Sequence, residues 1–114
     1  MGGSDCVFCR IVAGELPADV AHDGDRVLAF RDLDARAPLH VLVVPRAHHE
    51  TLADLADADP QALAELVQVA REVARDAPAG AFRLVVNSGE AVGQSVLHAH
   101  AHVLAGRAFG WPPG

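Results

Sequence analysis

The stretch His98-Ala99-His100-Ala101-His102 puts three imidazoles within five residues. Neutral imidazole is a good nucleophile near neutral pH, and its conjugate acid neutralises charge on phosphate oxygens. Side chains alternate across a strand, so a strand over Ser95 to Leu104 would set all three rings on one face. Leu97, Ala99, Ala101 and Val103 would then turn the other way, free to pack on a helix. Strand rise separates neighbouring rings by roughly 6.6 Å and the outer pair by roughly 13 Å. That span is too great for all three to close on one zinc ion, whose nitrogen ligands sit about 2 Å away. A central imidazole attacking phosphorus, beside a partner that binds the oxygens, makes a phosphoryl or nucleotidyl transfer site. The competing reading is a solvated face of exposed imidazoles. Three on one face, after the Gly-containing loop Ser88 to Gln94, favour chemistry.

Cys6-Val7-Phe8-Cys9 is a second constellation. Two cysteines alone are a weak zinc signal, because a tetrahedral site needs two more ligands. His48 or His49, with one histidine of the row, could supply them. The alternatives are two reduced cysteines packed as small apolar side chains, or a redox pair, which lacks a βαβ setting.

These groups need a scaffold. A short helix is expected from Cys6 to Ala13, with Phe8, Ile11 and Val12 at helical spacing and Gly14 as its stop. Asp19–His22 and Val27–Arg31 read as two strands around the Asp23-Gly24-Asp25 turn. His40–Val44 is a β-branched strand ended by Pro45. Asp59 is an N-cap and Pro60 suits the first turn of the clearest helix, which runs to about Asp76. Its apolar stripe is Leu63, Leu66, Val67, Ala70, Val73 and Ala74. Phe82–Asn87 and Ser95–Leu104 supply the last strands. Hairpin connections rather than βαβ alternation point to an α+β fold with an antiparallel sheet.

Composition bounds the partners. At 114 residues the chain fits a single domain, 1–114, and its 51% apolar content supports a core. Alanine supplies 22 residues and Phe plus Trp only five, so packing is mainly aliphatic. A net charge of −6 argues against wrapping nucleic acid. All nine basic residues are arginine, which excludes lysine chemistry. No apolar run is long enough to span a membrane. Met1-Gly2-Gly3-Ser4-Asp5 has no signal-like character, and Cys at position 6 fails the myristoylation pattern. The expected compartment is the cytoplasm, with reduced or metal-bound cysteines.

Gly93-Gln94-Ser95-Val96-Leu97-His98-Ala99-His100-Ala101-His102-Val103-Leu104 resembles the signature of the histidine triad (HIT) superfamily. The ending Gly106-Arg107-Ala108-Phe109-Gly110-Trp111-Pro112-Pro113-Gly114 resembles that of its purine nucleoside phosphoramidase branch. The likeness also takes in Phe8-Cys9-Arg10-Ile11, Leu28-Ala29-Phe30-Arg31-Asp32, Ala37-Pro38-Leu39-His40 and Val43-Val44-Pro45-Arg46-Ala47-His48, nearly the whole chain. It implies a five-stranded antiparallel sheet with one long helix and a short N-terminal helix. Two copies would pair into a homodimer with a continuous sheet.

The resemblance also implies residue roles. His100 would attack the α-phosphorus of a purine nucleoside 5′-phosphoramidate, expel the amine and form a nucleotidyl-histidine, which water hydrolyses. His102 would contact the phosphate oxygens, Ser95 the leaving group, and His40 would support the active-site histidines. Asp32 would accept hydrogen bonds from the ribose, and Leu33, Phe8 and Ile11 would bracket the purine. Asn87 would make a polar contact on the phosphate or ribose side, and the Gly93, Gln94, Ser95 and Val96 backbone would donate to the phosphate. Taken alone, Asp32 could cap a loop, Asn87 could hold a turn, and the apolar residues could be core. Bacterial-type relatives imply a structural zinc on Cys6, Cys9, His48 and His98, and no catalytic metal. Arg46-Ala47 departs from the usual two lysines, and Ala99 and Ala101 are smaller than usual. The competing functions are a dinucleoside polyphosphate hydrolase and a non-catalytic nucleotide- or zinc-binding module. Trp111 would be buried across the dimer or would cover the local core.

Overall fold

Alternation along two adjacent strands organises this molecule. In β2 (Val27–Arg31) and β3 (Leu39–Pro45), Val27, Ala29, Val41 and Val43 point to one face of the sheet, while Leu28, Phe30, Leu42 and Val44 point to the other. Both sets are buried, which is why these segments read as continuous apolar runs rather than half-polar strands. The first face is covered by α3 (Pro60–Val73) through Leu66, Val69 and Ala70. The second is covered by α1 (Val7–Val12), whose Phe8 meets Phe30 edge-on with ring centroids 5.6 Å apart. The result is three layers, helix–sheet–helix.

The computed structural model describes residues 5–114, and Met1–Ser4, read above as neither signal nor acylation site, lie outside the described residues. Within them β1 (Val20–Asp23), β2, β3, β4 (Arg83–Val85) and β5 (Ala101–Ala105) form one antiparallel sheet in the order β1-β2-β3-β5-β4. The α+β expectation holds.

Four local readings need correction. A helix unforeseen in the sequence, α2 (Leu52–Ala58), is capped by the Thr51 hydroxyl, which accepts the Asp54 N–H at 3.2 Å. The last strand begins at Ala101, so His98 and His100 precede it and His102 alone of the three lies within it. The stripe on α3 is rotated: Ala62 and Val69 are buried, whereas Val67 is 48% exposed. Leu97 also faces solvent instead of a helix.

Helix α3 is fastened to the β1–β2 turn by Glu65 and by Arg26, whose guanidinium donates to Gln61 Oε1 at 2.6 Å and to the N-cap Asp59 at 3.3 Å. The Glu65 carboxylate accepts the backbone N–H groups of Arg26 (2.9 Å) and Val27 (3.1 Å). Glu65→Ala leaves both donors without this acceptor and is expected to cost about 1–2 kcal/mol. Thermal denaturation should show the Tm several degrees lower. Gly106, at φ +95°, turns the chain out of β5 with its Cα against Pro38, where a Cβ would fall 2.8 Å from the proline ring.

Candidate active site

Two side-chain clusters meet at His98 and His100. Phe8 packs edge-on against both rings, with centroids 5.8 and 5.1 Å away, and the His100 and His102 rings lie 5.2 Å apart. All three imidazoles therefore lie on the α1 side of the sheet, while Ala101 and Val103 enter the core beneath α3. The one-face expectation holds even though only one of the rings stands on a strand.

Hydrogen bonds fix the proton positions. The Nδ1–H of His100 donates to the His98 carbonyl at 2.8 Å. Its Nε2 is consequently the lone-pair nitrogen. The residue is buried, only 5% exposed, yet every fully buried side-chain nitrogen or oxygen among the described residues has a partner. His100 Nε2 makes no hydrogen bond to the described chain, so this atom is the edge of the ring that reaches the surface.

The partner ring follows by the same logic. His40 is buried on β3, and its Nδ1 accepts the Arg36 backbone N–H at 3.0 Å. The His40 proton must sit on Nε2, which lies 3.0 Å from His102 Nδ1 and 3.3 Å from an Asp32 carboxylate oxygen. His102 Nδ1 is thereby an acceptor, and its own proton is on Nε2. Asp32, His40 and His102 are close enough to suggest a metal site. A metal on His40 Nε2 would require an imidazolate, which makes this cluster a hydrogen-bonded chain instead.

Burial lowers the His102 pKa to about 4, and the neighbouring His100 and His40 add to the effect while Asp32 opposes it. The unfolded chain, with an ordinary histidine near 6.5, binds more protons between these values. Stability is expected to fall as pH drops from about 6.5 toward 4 and to level off above. A Tm series from pH 4.5 to 7.5 checks this, and a Tm rising toward acid would contradict it.

The second cluster is Cys6, Cys9, His48 and His98, one donor atom from each lying within 4.8 Å of the others. His98 is wholly buried and its Nε2–H donates to the Pro45 carbonyl at 2.8 Å, leaving Nδ1 as the electron-pair donor. That Nδ1 lies 3.3 Å from Cys6 Sγ, 3.5 Å from Cys9 Sγ and 3.1 Å from His48 Nδ1, and Cys9 Sγ is 3.3 Å from His48 Nδ1. Tetrahedral zinc with bonds of about 2.0–2.3 Å sets its ligands about 3.3–3.8 Å apart. The donor types and spacings fit zinc. Burial first, then the neighbouring Cys6, pushes the Cys9 thiol up to about 11. Burial likewise lowers His98 to about 4.

A hollow that shares Phe8 with these rings, but that none of the three histidines lines, is formed by Val7, Phe8, Ile11, Phe30, Asp32 and Leu33, together with Pro17, Ala18, Asp19, Arg31 and Leu42. Four expected residues, Phe8, Ile11, Asp32 and Leu33, thus share one wall system. Val7, Phe30, Arg31, Leu42 and Pro17–Asp19 were not among the residues expected from the sequence. Phe30 and Leu42 were accessible, since their strand parity matches that of the α1 face, but Pro17–Asp19 carry no local signal. Ser95 and Val96 line a neighbouring hollow with Cys6, Val7 and His48. Gln94 is buried and its side chain is spent internally: its carbonyl accepts the Gly89 N–H, and its amide donates to the Glu50 and Val96 carbonyls. Gly93, at φ +101°, turns the chain into that segment. Asn87 is half-buried past β4, and the Val85–His102 register continued two residues would set it opposite His100. Arg46 donates to the Gly24 carbonyl and pairs with Asp23, so it serves the hairpin turn.

The HIT domain model matches residues 13–109. An uncharacterised HIT-like protein of Synechocystis is 43% identical over 111 residues, covering 96% of this chain and 97% of the relative. A HIT family hydrolase from Legionella pneumophila superposes with TM-score 0.89 at 40% identity, covering 96% of this chain and all of that one. A histidine triad protein from Clostridium difficile superposes with TM-score 0.88 at 38% identity, covering 96% and 97%.

Proposed function

The chain belongs to the HIT domain family, and from that premise we propose that it hydrolyses the P–N bond of purine nucleoside 5′-phosphoramidates. The observation that carries this reading is His100, whose Nδ1–H is held by a carbonyl while its Nε2 lone pair reaches the surface. In this mechanism Nε2 attacks the α-phosphorus, the P–N bond to the amine breaks, and the amine leaves carrying a proton taken from solvent. Water then cleaves the new phosphorus–imidazole bond, releasing nucleoside monophosphate and restoring neutral His100. His102 donates its Nε2–H to a phosphate oxygen, with His40 holding its tautomer from behind. Ser95 offers a hydrogen bond on the leaving-group side, and Asn87 and the Gly93–Val96 backbone complete the phosphate side. The base enters the hollow walled by Phe8, Ile11 and Leu33, and Asp32 accepts from the ribose at its edge.

The hydrolase names of structural relatives support this class of reaction. Comparing AMP release from adenosine 5′-phosphoramidate and from a diadenosine polyphosphate tests the choice. Preferential turnover of the phosphoramidate is expected. Faster polyphosphate cleavage favours the other hydrolase, and AMP binding without turnover favours a binding module.

Zinc on Cys6, Cys9, His48 and His98 is proposed as structural, a cross-link between α1, the loop after β3 and the segment before β5. Metal analysis of purified protein is expected to give one zinc per chain, reduced to well below half by a Cys9→Ser substitution. We also propose a cytoplasmic homodimer. Trp111 is 83% exposed, so it does not cover the local core. A second chain accounts for this ring, and light scattering at micromolar concentration should report a dimer.

A further inference from the structure

Helix α1 serves two sites. Cys6 and Cys9 bracket Phe8, and their sulfurs stand in the four-donor cluster. Val7, Phe8 and Ile11 from the same turns wall the hollow beside Asp32. Phe8 also touches the nucleophile ring itself, at 5.1 Å between centroids. His98 is equally double: its Nδ1 faces the two sulfurs and His48, while its carbonyl receives the His100 Nδ1–H at 2.8 Å.

The attachment of α1 makes this sharing consequential. Apart from those internal to α1, the backbone hydrogen bonds of Cys6–Leu16 among the described residues are local, running to Cys6, Cys9, Arg10 and Ile11 carbonyls. Side chains alone therefore hold this wall to the sheet: the Phe8 contacts, the partly buried Cys6, Ile11 and Val12, and the cluster donors. Cys6 and Cys9 are only half-buried and His48 is exposed, so chelators and oxidants can reach the cluster.

We propose that Phe8 and His98 are positioning residues through which occupancy of the Cys6–Cys9–His48–His98 cluster sets nucleotide affinity and the orientation of His100. This rests on the nucleotide hydrolase reading above. With metal bound, α1 is clamped, the base wall is formed, and the His98 carbonyl stays aligned on His100 Nδ1. Without it, α1 is released from His48 and His98, the wall loosens, and the imidazole loses both its edge contact and its fixed tautomer.

The experiment compares full-length zinc-loaded protein with chelator-treated protein. AMP affinity is read by calorimetry, backbone opening by hydrogen exchange, and the His100 tautomer by long-range nitrogen–proton NMR. Metal removal is expected to weaken AMP binding about tenfold or more and to speed exchange across Val7–Val12. Protection in β2, β3 and β5 should persist, and the His100 signature should change from a single tautomer to a mixture. Zinc-loaded Phe8→Leu should keep its metal yet shift the His100 resonances. A metal-free protein with AMP affinity within twofold and an unchanged His100 signature overturns the proposal. So does a metal-free protein whose strands open together with α1, because the cluster then sustains only overall stability. If the zinc-loaded protein binds no AMP, the hydrolase reading fails, and α1 exchange with the His100 signature alone decides the coupling.

Discussion

Replacing His100 by alanine is expected to reduce phosphoramidate turnover by at least roughly four orders of magnitude, the scale seen when a covalent nucleophile is removed. No neighbouring group can substitute. His98 Nε2 is held by the Pro45 carbonyl, and its Nδ1 faces the sulfurs. His102 Nδ1 is engaged with His40, and its Nε2 carries a proton. The variant should still bind AMP, because the base hollow and Asp32 are untouched. Single-turnover assays with adenosine 5′-phosphoramidate, with nucleotidylated peptide mapped by mass spectrometry, provide the measurement. Trapping the nucleotide on a residue other than His100 would defeat the mechanism even if the variant were slow.

His102→Ala is expected to lower kcat by about 10²–10³-fold, as for loss of one preorganised donor to a developing anion. KM should change only a few-fold, because that donor matters most when charge accumulates on the phosphate oxygens. His40→Ala should produce a smaller loss in the same direction, since it acts through the proton it fixes on His102. The pair should be far from additive, each single change removing much of what the double change removes. Steady-state kinetics on the three variants check this. An unchanged kcat in His102→Ala would remove that ring from the mechanism.

Much of this site was legible in the sequence because the identities of its residues are themselves informative. Histidines at alternate positions and a Cys-x-x-Cys pair are rare enough to carry chemistry, and His98, the ring allotted to metal, is the one found beside the two sulfurs. Geometry was less legible. A strand reading from Ser95 spread the rings evenly, whereas His98 leaves strand geometry to donate to Pro45 and face Cys6 and Cys9. Pairing to β3 starts only at Ala101. Helix α2 escaped notice because, apart from Leu52 and Leu55, its apolar residues are three alanines, too little for a clear stripe. Val67 looked buried by spacing, but α3 turns Val69 and Ala62 inward while Glu65 reaches the hairpin turn. The proton placement on His40 depended on a main-chain donor, Arg36, which no side-chain pattern reveals.

The two-sided burial of β3 has a further consequence for how this chain can change. His40 shares its parity with Leu42 and Val44, so the His40–His102 contact and the interior are written on one ribbon. Inserting or deleting a single residue within β3 beside His40 would exchange its two buried faces, sending the imidazole toward α3 and Val41 and Val43 toward α1. No such slip can be tolerated locally. Length variation is therefore confined to the connecting loops, and the ring's aim is protected by the same packing that makes the protein fold.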